Sequence, residues 1–261
     1  MSTWVLDLDG VVWRGDELIQ GADRAIATLL ASGYRVVACT NHALAPSVKS
    51  DLLERLGVAA IPVVTSAEAA AARCTQGERV LVLGDPSLVE VLRDAGLEAI
   101  DVHEEPDGRP VPGVDAVVVG ATSRWDRSRV GMAADAVRSG ARFLATNDDA
   151  TYPTSGPAGI RLLPGNGALV AAVAVASGRT PEVTGKPHRA TAALLEERHG
   201  PVDVVVGDKP ETDGGLAVEL DAAFGLVLSG VTTAAHLPVT PRPTWVAADL
   251  AALVDAALSV G

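Results

Sequence analysis

Short Val/Leu runs alternate with Ala-rich stretches of helical period along the whole chain, and this alternation limits the possible folds more than any other feature. Strands are expected at 3–8, 34–39, 61–64, 79–83, 114–119, 141–145, 202–206 and 222–228. Helices are expected at 21–32, 46–56, 66–75, 86–95, 127–139, 168–177, 188–199 and 248–259. Several of them stop at a glycine, namely Gly33, Gly57, Gly96, Gly140, Gly178 and Gly200, a residue suited to the left-handed turn after a helix. Strand–helix alternation of this kind predicts an α/β fold with a mostly parallel sheet. Aromatic residues are only 3% of the 261, so the core must be built from Val, Leu and Ala; a 48% hydrophobic content supports one large domain or two modest ones.

The polar residues that interrupt this pattern fall at strand ends. Asp7 and Asp9 close the first run, Thr40, Asn41 and His42 follow 34–39, and Asp208 follows 202–206. A desolvated carboxylate costs about 2 kcal/mol or more unless something pairs with it, and acids at i and i+2 repel each other. Asp7 and Asp9 therefore call for a cation between them, or for a division of labour between nucleophile and acid. In an open α/β sheet ligands bind at the carboxyl ends of strands, so these clusters are expected to converge on one crevice, with Lys186 of Thr184-Gly185-Lys186-Pro187 joining them.

A formal net charge of −12 argues against nucleic acid or an anionic membrane as a partner, since each needs a basic face. Phosphate can still bind where a metal, a lysine or helix N-termini reverse the field locally. Cys39 and Cys74 form no C-x-x-C pair, which suits a reducing compartment. The first apolar run breaks at Asp7, and the longest, Ala168 to Ala176, is too short to span a bilayer. The expectation is a soluble cytoplasmic protein.

Between Asn41 and Lys186 lie about 145 residues, far more than one crossover needs. Residues 79–181 carry strands and helices of their own, with a Pro/Gly-rich loop at 106–113. An inserted second domain is expected, with 1–75 and 183–261 as the core and 76–182 as the insertion.

An aspartate nucleophile, a second carboxylate, a hydroxyl with an amide, a lysine and a distant acidic pair suit phosphoryl transfer, which needs positioning and charge neutralisation above all. Asp7 would attack phosphorus in line. Asp9 would protonate the departing oxygen and then activate water. Thr40 and Asn41 would donate to phosphate oxygens, Lys186 would offset charge on the phosphoryl group and Asp7, and Asp208 with Asp7 would hold a hard cation such as Mg2+.

Asp7-Leu-Asp-Gly-Val-Val-Trp-Arg-Gly15, Thr40-Asn-His42, Gly185-Lys-Pro187 and Gly207-Asp-Lys-Pro-Glu-Thr-Asp213 resemble, in order, the four motifs of the haloacid dehalogenase superfamily. The insertion resembles that of its type IIA, C2-capped subfamily, which includes NagD-like, 4-nitrophenyl phosphatase-like, phosphoglycolate and pyridoxal phosphate phosphatases. Thr146-Asn-Asp148, Pro164-Gly-Asn-Gly-Ala168 and Ser229-Gly-Val-Thr-Thr233 are similar to further stretches of that subfamily. The resemblance implies a Rossmann-like doubly wound parallel core with an α/β C2-type cap. It implies Asp7 as nucleophile, Asp9 as general acid/base, Mg2+ held by the Asp7 carboxylate, the Asp9 backbone carbonyl and Asp208, and Asp213 orienting metal-bound water. The implied substrate is a small phosphorylated metabolite, and cap-mediated homodimers are frequent in the subfamily. Dehalogenases lack the second acid, so Asp9 points to a phosphatase.

Two departures bear on specificity. His42 stands where the subfamily usually has a second Asn, and is expected to tune the substrate rather than abolish turnover. Tyr152, in Asp149-Ala-Thr-Tyr-Pro153, falls where some relatives place a substrate-contacting His.

Blander roles compete at several positions: a surface lysine for Lys186, helix capping for Asp208 and Asp213, a solvated loop for His42. His103, His188, His199 and His236 have no zinc-site spacing. Gly165-Asn-Gly167 is part of a dinucleotide fingerprint, but Val170 replaces its third glycine, and a tight turn is the better account. The alternatives to a phosphatase are a phosphate-binding or regulatory module with vestigial catalysis, and a phosphotransferase; the water-activating Asp9 argues against the latter.

Overall fold

The computed structural model of the protein describes residues 2–106, 108–156 and 159–259. The chain divides into two compact units, one of 1–40, 46–64 and 186–261, the other of 41–45 and 65–185.

The first unit is built on a six-stranded sheet ordered Trp245–Ala247, Ala223–Val227, Val204–Gly207, Thr3–Leu6, Arg35–Thr40, Val63–Thr65. Numbered within this sheet, that order is the 3-2-1-4-5-6 of doubly wound folds, and it reverses between Thr3–Leu6 and Val204–Gly207. Thr3–Leu6 is parallel to both neighbours, with Leu6 level with Val206 on one side and Ala38 on the other. All four of its residues are buried, as expected of a strand covered on both faces. Helices Ala22–Ala31 and Leu250–Leu258 supply Ile26, Leu29, Leu250 and Leu253 to one core cluster with Trp4, Leu6, Leu8 and Trp13. Trp4 stacks on Trp245 at 6.5 Å and meets Tyr34 edge-on.

The second unit has a five-stranded parallel sheet ordered Glu182–Val183, Arg142–Ala145, Ala116–Val119, Arg79–Leu83, Glu98–Asp101. Helices Pro86–Asp94 and Arg127–Arg138 begin at Asp85 and Asp126, whose side chains accept backbone N–H bonds. This unit reaches outside 76–182 because helix Ser66–Ala71, held at its start by the reciprocal Thr65–Glu68 bonds, packs Ala67, Ala70 and Ala71 into its core with Ala43. An antiparallel hairpin, Thr151–Gly156 with Gly159–Pro164, completes it.

The six helix-ending glycines all have positive φ, as the sequence pattern predicts. Gly165 and Gly167 prove to be packing glycines: a Cβ would lie 2.2 Å from the Asp149 carbonyl oxygen at the first and 2.4 Å from that of Asp148 at the second. No helix among the described residues is long and apolar enough to cross a membrane.

Candidate active site

The switch point of the first sheet carries the acids. Asp7 follows Thr3–Leu6 directly and still donates its N–H to Val206 at 2.9 Å. Asp208 follows Val204–Gly207 and is buried. The chain then makes one π-helical turn, Pro210–Gly214, which returns Asp213 toward the strand end. There the Asp213 carboxylate accepts the Lys209 N–H at 3.1 Å and lies against Gly207, where a Cβ would be 2.1 Å from it. The Asp213 carboxylate thus closes its own turn onto the Lys209 N–H.

Lys186 is no surface lysine. It is 3% exposed, and its Nζ donates to Asp7 Oδ1 and Asp213 Oδ1, each at 2.7 Å. Carboxylate oxygens of Asp7, Asp208 and Asp213 lie within 4.8 Å of one another. Burial pushes the Asp7 carboxyl well above its ordinary range; Lys186 opposes this, and Asp213 and Asp208 add to it. Burial, then Asp213, raises Asp208 to about 6, against the Val231 N–H that it accepts. Burial works against the Lys186 ammonium, but Asp213 and Asp7 outweigh it and hold its pKa well above the ordinary value.

Three carboxylates, two buried and that of Asp7 nearly so, beside one ammonium leave two negative charges in excess when all are ionised. Hard oxygen donors with excess negative charge fit a divalent cation such as Mg2+. Glycines make the room: a Cβ at Gly10 would lie 2.5 Å from Asp208 Oδ2, and one at Gly230 would lie 1.8 Å from it.

Asp9 is not one of the three grouped acids and stands at the start of the turn after the first strand. Gly10, at φ +85°, reverses the chain, and the N–H groups of Val11, Val12 and Trp13 all point to the Leu8 carbonyl. The Trp13 indole N–H then donates to Asp9 Oδ1 at 3.0 Å, and Lys49 Nζ lies 3.7 Å from Asp9 Oδ2. Thr40 is the buried last residue of Arg35–Thr40, two beyond Ala38, the partner of Leu6.

The structure thus gathers Asp7, Lys186, Asp208 and Asp213. Asn41, His42 and Tyr152 belong to the second unit. There the Asn41 side-chain amide donates to Asp149 Oδ2 at 3.2 Å, while the Asn41 backbone carbonyl accepts from the Ser66 hydroxyl and the Asn147 amide. His42 is exposed, and Tyr152, opposite Leu163 in the hairpin, is 49% exposed.

The sequence singles out neither Lys49 nor any role for Trp13 and Ser229, although the latter two stand in motif stretches named above. Ser229 Oγ donates to the Gly10 carbonyl at 2.6 Å and pins the turn. The available signal for Lys49 was its place four residues before Leu53, on the core-facing stripe of helix Pro46–Arg55.

Comparison with known proteins bears on the family. The haloacid dehalogenase-like hydrolase profile matches residues 4–98, and a HAD-hydrolase-like profile matches 183–253. The D-glycerol 3-phosphate phosphatase of Mycobacterium tuberculosis is 36% identical over 95% of this chain and 70% of its own length. The ribonucleotide monophosphatase NagD of Escherichia coli is 32% identical over 93% of this chain and 94% of its own. Among solved structures, a Mycobacterium tuberculosis glycerol phosphate phosphatase in complex with magnesium superposes with a TM-score of 0.82 at 33% identity, over 97% of this chain and 76% of that one. Likeness of this extent, joined to a carboxylate–lysine cluster at the sheet's switch point, places the chain in the haloacid dehalogenase-like hydrolase family.

Proposed function

We propose that the protein is a phosphatase that hydrolyses a small phosphorylated metabolite through an aspartyl-phosphate on Asp7, with Mg2+ as its metal. The observation that carries this reading is the Lys186 ammonium bonded to both Asp7 and Asp213 beside Asp208. Relatives named as phosphatases of glycerol 3-phosphate and of ribonucleotides support the substrate class.

In this reading an Asp7 carboxylate oxygen bonds to phosphorus as the ester P–O bond breaks, and Asp9 gives its proton to the leaving oxygen. Water then attacks phosphorus, Asp9 takes its proton, and the Asp7–P bond breaks to release phosphate. Lys186 neutralises charge on Asp7 throughout, and Thr40 and Asn41 donate to phosphoryl oxygens. Mg2+, held by the Asp7 and Asp208 carboxylates and the Asp9 carbonyl, would supply charge neutralisation, with Asp213 holding Lys186 in register. His42 and Tyr152 are the proposed specificity positions. Cys39 and Cys74 share no disulfide, which supports a reducing, cytoplasmic setting.

The test is phosphate release from a panel of sugar, polyol, nucleotide and cofactor phosphates, with and without Mg2+. Silence across the panel from folded, metal-loaded protein would move the reading to a phosphate-binding module.

A further inference from the structure

Lys49 is a charged residue where helix Pro46–Arg55 should present an apolar one. It and Leu53 are the buried residues of that helix, and Lys49 is 6% exposed. Lysine is almost never so buried without a partner, because its ammonium loses hydration on burial. Two partners are in place. The ammonium stands 5.3 Å from the centroid of the Trp13 ring, within cation–π range, and 3.7 Å from Asp9 Oδ2. Trp13, itself fully buried, donates its indole N–H to the other oxygen, Asp9 Oδ1, at 3.0 Å.

The three side chains therefore close a triangle. One ring offers its edge N–H to the carboxylate and a face to the ammonium, and the ammonium faces the carboxylate in turn. The ammonium is attracted by both the ring face and the carboxylate, and the indole N–H by the carboxylate, so all three contacts are favourable together. The Asp9 side chain is 45% exposed, yet one oxygen accepts the indole N–H and the other faces the ammonium, and both contacts narrow its rotamer freedom.

We propose that Lys49 and Trp13 form a clamp that positions the Asp9 carboxylate for proton transfer, making Lys49 a positioning residue for the reaction. This rests on the phosphatase reading, in which Asp9 is the acid and base. An acid held in place by binding energy already spent in folding needs no reorganisation when the leaving oxygen arrives. Lys49 acts through Asp9 and not on substrate, so its removal should lower kcat and leave KM in place.

The experiment uses Lys49→Met, which keeps chain length in an apolar site, Lys49→Arg, which restores a cation, and Trp13→Phe, which keeps the ring face but removes the N–H. With 4-nitrophenyl phosphate and Mg2+, Lys49→Met is expected to lose about ten-fold or more in kcat with KM within about twofold, and Lys49→Arg to recover part of it. In an Asp9→Asn background Lys49→Met should cost nothing further, since the group it positions is gone. The Trp13 indole proton resonance, assigned by its loss in Trp13→Phe, should shift in Lys49→Met and in Asp9→Asn. Lys49→Met with kcat near wild type, or with the same loss in the Asp9→Asn background, would overturn the clamp. If the wild type hydrolyses nothing, the phosphatase reading has failed, and the indole resonance decides the clamp alone: no shift in Lys49→Met overturns it.

Discussion

The Lys186 ammonium lies 2.7 Å from a carboxylate oxygen of Asp7 and 2.7 Å from one of Asp213, so one cation ties the first strand of the core to the turn that follows Val204–Gly207. The three groups are buried or nearly so. Breaking a buried pair by removing one partner typically costs about 3–5 kcal/mol, because the other charge is stranded. Lys186→Met is expected to lower Tm, to abolish turnover, and to regain part of the lost Tm when Mg2+ is added. Thermal unfolding with and without Mg2+ checks this; an unchanged Tm would show that the ammonium is not what holds the carboxylates together.

Proton and metal should compete at Asp208. Its carboxyl is raised from 3.8 to about 6, so between these values the folded chain holds a proton that the unfolded chain has released. Stability from this group is then full below the lower value and falls as pH rises through the upper one, by about 3 kcal/mol in all. A divalent cation binds the ionised form. The gain in Tm on adding Mg2+ is therefore expected to be larger at about pH 7.5 than at about pH 5, and an equal gain at both would contradict the assignment of Asp208 as a ligand.

Gly230 tests the same carboxylate by shape. A Cβ there would sit 1.8 Å from Asp208 Oδ2, so Gly230→Ala must displace the side chain. The expected outcome is about a ten-fold or greater rise in the Mg2+ concentration needed for half-maximal rate, since ligand geometry sets affinity. Titration of activity with Mg2+ measures it, and a wild-type requirement would show that Asp208 is free to move.

The central strands and most helices were legible in the sequence because their burial pattern follows from their own residues. Arg79–Leu83 carries the branched apolar run Val80 to Leu83, and it forms where the pattern places it. Glu98–Asp101 and Trp245–Ala247 were not legible. They are edge strands, the first of mixed polarity and the second only three residues long, formed by the ladders of Arg79–Leu83 and Ala223–Val227 beside them, so their information lies in the neighbour. Helix Gly215–Glu219 was hidden by the glycines at its start, 214 and 215, which disfavour helix locally. Among site residues, Asp7, Asp208 and Lys186 could be found from strand ends and motif order. The contacts of Lys49 with Asp9 and Trp13 arise from tertiary packing that no spacing within one motif encodes.

Asp7 is the attacking group in the proposed reaction, and every later step depends on it. Phosphate release with Mg2+ should be measured for wild type and Asp7→Asn across the same panel of phosphomonoesters, with binding of the best substrate followed in parallel. The expected result is Mg2+-dependent turnover that falls by about a thousand-fold or more in Asp7→Asn while the substrate still binds, as loss of a nucleophile requires. An Asp7→Asn variant that turns over near the wild-type rate would contradict the account.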